Sequence, residues 1–382
     1  MKNTLQTDVC IIGAGPGGTA AALFLAKKGI SCTLADKEKF PRDKICGDAL
    51  SGKVINTLKK LDPAIVEELA AEPTQLGSWG VKFIAPNLKE LRVPFKKNFD
   101  KNSKPPGFIS KRIDFDNFLI EQVKKHSSIT LLQEKQAEKY ERTDQGFKIF
   151  FKDQSELNCC LLISADGAQS SFARTFGNIK VEHQHYSAGI RAYYKGVKGM
   201  DADNFIELHF LKDFLPGYFW IFPLPNGMAN IGVGMRSDKV SAKKINLKQE
   251  LKRILTDYPA LKERFSEAEL IGDIKGFGLP LGSKKRIISG DHFMLVGDAA
   301  SLIDPFTGEG ISHAMISGMY AADQAEACLA QNKFNTTFIA EYDKKVYHRL
   351  GKELNISTKM QYLIKYPWLF NFVVNKATRN KE

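Results

Sequence analysis

Residues 7 to 36 read TDVCIIGAGPGGTAAALFLAKKGISCTLAD, and no other stretch restricts the folds open to this chain as tightly. A short run rich in β-branched residues, Val9 to Ile12, ends in Gly13-Ala14-Gly15-Pro16-Gly17-Gly18. An Ala- and Leu-rich segment follows and closes at Gly29, and a second strand-like run ends on Asp36. Strand, glycine turn, helix and strand in that order form a βαβ unit able to bind a dinucleotide. Gly13 permits the tight turn. Gly15, with Pro16 beside it, lets backbone approach a pyrophosphate at the helix N-terminus, and Gly18 lets helix and strand pack closely. Asp36 is placed to accept hydrogen bonds from an adenosine ribose, which disfavours a 2'-phosphate there. The alternative is a Gly-rich turn in an ordinary βαβ unit.

The choice between FAD and NAD falls to a distant segment, HFMLVGDAASLIDPFTGEGISHAMISGMYAADQA. An apolar strand, Phe293 to Val296, runs into Gly297-Asp298, then a Pro/Gly loop containing Gly308, then a long helix expected from about Gly310 and Ile311. A carboxylate at a strand end suits a ribityl hydroxyl, and a helix N-terminus suits the partly anionic N1/O2 edge of a flavin. The arrangement points to FAD.

Gly13 to Gly18, Asp166-Gly167 in LLISADGAQSSFAR, and Gly297-Asp298 resemble, in order, the three fingerprints of the p-hydroxybenzoate hydroxylase superfamily of flavoproteins. The resemblance implies a discontinuous FAD domain, with Asp166 near the flavin and the nicotinamide, and Arg112 as an FAD contact. On position alone, Asp166 could equally shape a turn and Arg112 be a solvated helix-start residue. FPRDKICGDALSG, with Lys37 and Arg42 just before or within it, resembles the K-x-C-G loop of the geranylgeranyl reductase family. Tyr218-Phe219-Trp220-Ile221-Phe222-Pro223 resembles that family's Y-x-W-x-F-P strand, whose aromatics line an isoprenoid cavity above the flavin. Halogenases of the superfamily carry W-x-W-x-I-P at this place, and Tyr218 and Phe222 depart from that pattern. The likeness therefore implies hydride transfer from reduced FAD to carbon-carbon double bonds of a prenyl substrate held by Tyr218, Trp220 and Phe222. Cys46 is the first candidate for the proton donor and Tyr218 the second, with Cys46 and Gly47 near the flavin. Cys46 could instead be a redox thiol or a loop-packing group, and the aromatic strand an ordinary core strand. A flavin monooxygenase and an electron carrier to quinone are the competing readings.

The expected fold class is α/β. Residues 1–75, 105–175 and 286–345 form a Rossmann-like FAD/NAD(P)-binding domain, and the strand-rich inserts 76–104 and 176–285 form one antiparallel substrate sheet. Residues 346–382 form a C-terminal helical segment. Within it, KMQYLIKYPWLFNFVVNKATRNKE mixes aromatics, aliphatics and lysines, as a segment packed on the FAD domain or touching a bilayer interface would. A second G-x-G-x-x-G after a strand is missing, so the reductant is expected to be NAD(P)H bound without its own domain, or an electron-carrier protein.

Six cysteines lack C-x-x-C spacing, so neither a disulfide scaffold nor a metal site is signalled. The net charge of +12 is spread over dispersed lysines, without the basic and aromatic interleaving of a nucleic-acid binder. With no secretion-signal pattern and no apolar run of spanning length, the expectation is a cytoplasmic monomer or small oligomer, in some contact with a membrane surface.

Overall fold

The computed structural model describes residues 4–97, 100 and 102–379; the ends of the expected segments at 1–3 and 380–382, and residues 98, 99 and 101 within 76–104, lie outside them. The fold is built on two large sheets. The first has eight strands, and its parallel core runs Phe293–Leu295, Glu156–Ser164, Thr4–Ile12, Cys32–Ala35 and Ile129–Leu132. Val9 to Ile12, Leu34 and Leu161 to Ile163 are buried, the near-continuous apolar pattern of strands covered on both faces. The helix Pro16–Lys27 lies against this sheet. Its low amphipathicity has a direct cause: Pro16 to Leu25 are all buried, between the sheet and the long helix Ile311–Gln331.

The second sheet has seven strands, in the order Glu269–Pro280, Tyr186–Lys195, Met228–Arg236, Tyr218–Leu224, Ile206–His209, Gly80–Ile84 and Glu90–Pro94. Strands from both inserts thus share one sheet, but it is mixed rather than purely antiparallel. Ile206–His209 pairs in parallel with Gly80–Ile84, because the chain returns to the first sheet between these strands and re-enters from the same end. A small sheet of Ala49–Leu50, Gly107–Ile109 and Leu76–Ser78 bridges the two layers. At the C-terminus the helix Thr336–Leu363 runs through position 345 without a break, and Pro367 opens a last helix, Pro367–Arg379. The domain boundary expected at 345 therefore falls inside a helix, since no glycine or proline there interrupts it. Among the described residues, no helix is long and apolar enough to cross a membrane.

Candidate functional site

The glycine turn forms a cradle. Gly13 has φ +101°, and a Cβ there would sit 2.4 Å from the carbonyl oxygen of Ala165; a Cβ on Gly18 would sit 1.8 Å from that of Gly13. Neither position admits a side chain. Gly15 is open: a Cβ there would meet only Nη2 of Arg42, at 3.8 Å, so bare backbone and a helix N-terminus starting at Pro16 lie beneath a guanidinium. That combination fits a pyrophosphate. At the end of the second strand, Asp36 accepts the Ala14 amide at 2.6 Å and the Glu38 amide at 2.9 Å, which fixes its carboxylate beside the turn. Lys37 is largely exposed and 3.9 Å from Glu38, away from this cluster.

Arg112 opens the helix Arg112–Lys124 and is buried. It donates from Nε and Nη2 to the two oxygens of Asp116, at 2.6 Å each. Asp116 also accepts Arg42 Nη1 at 2.6 Å, and these guanidinium groups hold its carboxyl below the usual range against the opposing effect of burial. The Arg112 backbone amide also donates to Asp48 Oδ1 at 3.3 Å, at the end of the Cys46 loop. Arg112 thus spends its guanidinium on Asp116, and Arg42 is the cation over the glycine turn.

On the opposite side stand Gly297, with φ +61°, and Asp298. Lys44 Nζ lies 3.5 Å from Asp298 Oδ2, and a Cβ on Gly310 would lie 3.4 Å from Asp298 Oδ1. Ile311 is the first residue of its helix, with Gly310 as the cap, as expected. The intervening loop is held by Asp304, which accepts from the amides of Phe306 and Thr307. Gly308 has φ +75°, and a Cβ on it would meet Tyr218 Oη at 2.9 Å. Asp166 accepts from Ser164 Oγ at 2.5 Å, and burial pushes its carboxyl up. Its side chain braces the turn, while Gly167 comes within 3.7 Å of Lys44 Nζ as measured from an added Cβ.

The loop Lys44 to Asp48 faces the aromatic strand. A Cβ on Gly47 would lie 2.8 Å from the ring of Phe222. Tyr218 donates to the carbonyl of Thr307 at 2.9 Å, tying the strand to the Gly308 loop, and burial raises its phenol. Trp220 donates from Nε1 to Asn230 Oδ1 at 2.9 Å; Asn230 Nδ2 in turn donates at 2.8 Å to the Cys46 carbonyl and at 2.8 Å to Asp48 Oδ2. Asp48 is wholly buried at φ 70° and also accepts from Tyr193 Oη at 2.7 Å. Burial pushes its carboxyl up to about 6, although Asn230, Tyr193, Arg191 and Arg112 all oppose the rise. Arg191, itself buried, pairs with Asp43 at 3.0 Å and stacks over the Tyr193 ring at 4.0 Å.

Asp48, Tyr193, Arg191 and Asn230 escaped sequence reasoning. The available signal was polar residues inside otherwise apolar strand runs, GIRAYY and MANIGVGM, where a buried polar group requires a partner. Beyond the loop, Phe210, Trp220, Phe222, Phe306 and Phe370 belong to one apolar cluster with Ile109.

Glu309, His313 and Glu353 bring ligand-type atoms within 4.8 Å of one another. Lys53 Nζ lies 3.0 Å from Glu309 and also bonds Glu353, so an ammonium fills the place a metal would take. The cluster is an ion-pair network joining three helices.

Residues 6–331 match the family model described as FAD binding domain. The chain is 29% identical over 358 residues to digeranylgeranylglycerophospholipid reductase of Thermoplasma volcanium, covering 91% of this chain and 84% of that one. It is 28% identical over 375 residues to menaquinone reductase of Mycobacterium tuberculosis, covering 95% and 85%. Its fold matches that of a geranylgeranyl bacteriochlorophyll reductase-like protein from Thermoplasma acidophilum, with a TM-score of 0.85 at 23% identity over 98% of this chain and 92% of that one. The chain belongs to the FAD binding domain family, as an FAD-dependent oxidoreductase.

Proposed function

We propose that the protein reduces carbon-carbon double bonds of a prenyl lipid. The observation that carries this reading is the apolar cluster of Trp220, Phe222, Phe210 and Phe306, which starts directly at the Gly47 and Gly308 loops. A long prenyl chain needs broad apolar area with few polar groups to desolvate, and these buried rings supply that chemistry. The relatives support the choice, since one is named for a geranylgeranyl lipid and another for a prenylated quinone.

Reduced FAD, when bound, would supply the hydride for one alkene carbon. The chain's own residues do the rest. Gly13, Gly15, Pro16 and Gly18 with Arg42 would hold the pyrophosphate, and Asp36 would take the ribose. Gly297, Asp298, Gly308, Gly310 and Ile311 would receive the ribityl chain and flavin edge, with Arg112 and Asp166 bracing the loops around them. Tyr218, Trp220 and Phe222 align the alkene and exclude water, since an unactivated double bond depends on a close, oriented approach. Cys46, in the loop held by Asn230, gives a proton to the second carbon. The test is a Cys46→Ala variant in single turnover from pre-reduced enzyme. Loss of prenyl reduction with normal FAD content supports the donor role, and an unchanged rate removes it.

We infer NAD(P)H as the reductant, lying across a small recess of about 20 Å³ beside Asp298 and Gly167, whose walls carry Arg174, Lys180, His185 and Arg286 together with Glu182. An electron-carrier protein is the alternative source of electrons. We place the protein in the cytoplasm, working against a membrane surface.

A further inference from the structure

The last helix, Pro367–Arg379, is apolar on two opposite faces. Inward, Phe370 and Val374 are buried, and the Phe370 ring lies 4.8 Å from that of Phe210, in the same cluster that contains Trp220 and Phe222. Outward, Trp368 is 70% exposed and Phe372 59%, one turn apart, with Val373 and Tyr366 also exposed. Burial in the fold explains only the first face. A turn from the neighbouring sheet extends the outward patch: Asn87 bonds Asn371 and Asn375, and Leu88 beside it is 67% exposed.

The helices that carry this patch are basic, with Asp238, paired to Arg236, and Glu90 as nearby acids. From Leu354 to Thr378 the sequence carries Lys359, Lys365 and Lys376 and no acidic residue. Lys365 stacks over Tyr362 at 4.4 Å, and Arg236 does so at 5.3 Å. Partial burial and the neighbouring Arg236 and Lys239 lower the Lys365 ammonium despite Asp238 nearby. Exposed Trp and Tyr in a stretch whose only charges are lysines match the interface of an anionic bilayer. A protein partner would more often present acidic side chains to pair with, which would leave Trp368 and Phe372 without a role.

We propose that the outward face of the Pro367–Arg379 helix, centred on Trp368 and Phe372, seats the protein on an anionic lipid bilayer. The same helix roofs the aromatic cluster with Phe370 and Val374, so a prenyl chain leaving the bilayer meets the cluster after passing one helix. This second statement rests on the prenyl-reductase reading; the first does not.

The experiment is co-sedimentation of the full-length, FAD-loaded protein with vesicles of phosphatidylcholine alone or mixed with phosphatidylglycerol. Wild type is compared with a Trp368→Ser/Phe372→Ser double variant, Trp368→Tyr, and Lys359→Glu/Lys376→Glu. The expected result is binding to the mixed vesicles that falls about tenfold or more in the Ser double variant and survives in Trp368→Tyr. In the Glu double variant binding weakens only on anionic vesicles, and the difference closes at high salt. Equal binding of wild type and the Ser double variant overturns the proposal, as does failure of wild type to bind. Sedimentation velocity adds a third outcome: a wild-type dimer that the Ser double variant dissociates assigns the patch to a second copy and overturns the bilayer. Reduction of dissolved geranyl diphosphate is measured in parallel and is expected to be unchanged in the Ser double variant. If no variant or wild type reduces it while the vesicle difference persists, the prenyl-reductase reading fails and the docking face stands.

Discussion

The side-chain amide of Asn230 donates to the backbone carbonyl of Cys46 at 2.8 Å across the gap between the two sheets. The same amide group bonds Asp48 and accepts from Trp220, so one buried side chain holds the cofactor-side loop in register with the aromatic strand. A loop whose position decides where a thiol stands thus depends on a residue far from it in sequence.

Replacing Asn230 with Leu leaves the Cys46 carbonyl, the Asp48 carboxylate and the Trp220 indole N–H without that partner in a dry setting. A loss of about 2–4 kcal/mol in stability is expected, read by urea unfolding. The turnover rate should fall more than the affinity for substrate changes, because the loop is displaced while the apolar surface is kept. A variant with wild-type stability would show that water replaces the amide.

Asp48 titrates at about 6 in the folded chain, above its ordinary carboxylate value. The folded state therefore binds an extra proton between about pH 4 and 6. This group's contribution to stability is greatest below that window and is lost as pH rises through 6. Relative to Asp48→Asn, wild type should lose on the order of 3 kcal/mol from pH 4 to pH 8. Denaturant titrations at the two pH values check this, and a pH-independent difference refutes it.

Gly18→Ala forces a Cβ to 1.8 Å from the Gly13 carbonyl oxygen, so the helix must leave the strand. FAD content after purification should drop to a small fraction of wild type. Full FAD occupancy would mean the turn can relax.

Tyr218→Phe removes the bond to the Thr307 carbonyl, worth about 1 kcal/mol. Prenyl reduction should persist with a modest fall in rate if Cys46 supplies the proton. Abolition of turnover at full FAD occupancy would transfer that role to Tyr218.

Arg174→Glu places an acid at the cleft beside Asp298. Stopped-flow reduction of the bound flavin should require about tenfold more NAD(P)H, while single-turnover reduction of substrate by dithionite-reduced enzyme is unchanged. No effect on NAD(P)H favours a protein electron donor.

The glycine turn, the Asp36 strand end and the Gly297-Asp298 element were legible in the sequence because each depends on local backbone geometry, which a few adjacent residues determine. The apolar strand runs likewise announced the buried sheet. Tertiary structure alone decided how Asn230, Tyr193 and Arg191 converge on Asp48, since pairings between distant strands set those distances. It also turned Arg112 toward Asp116, because a buried carboxylate four residues along its helix competes for the guanidinium. The same holds for the last helix: its sequence shows mixed aromatics and lysines, and only packing divides them into a face that roofs the aromatic cluster and a face left in water.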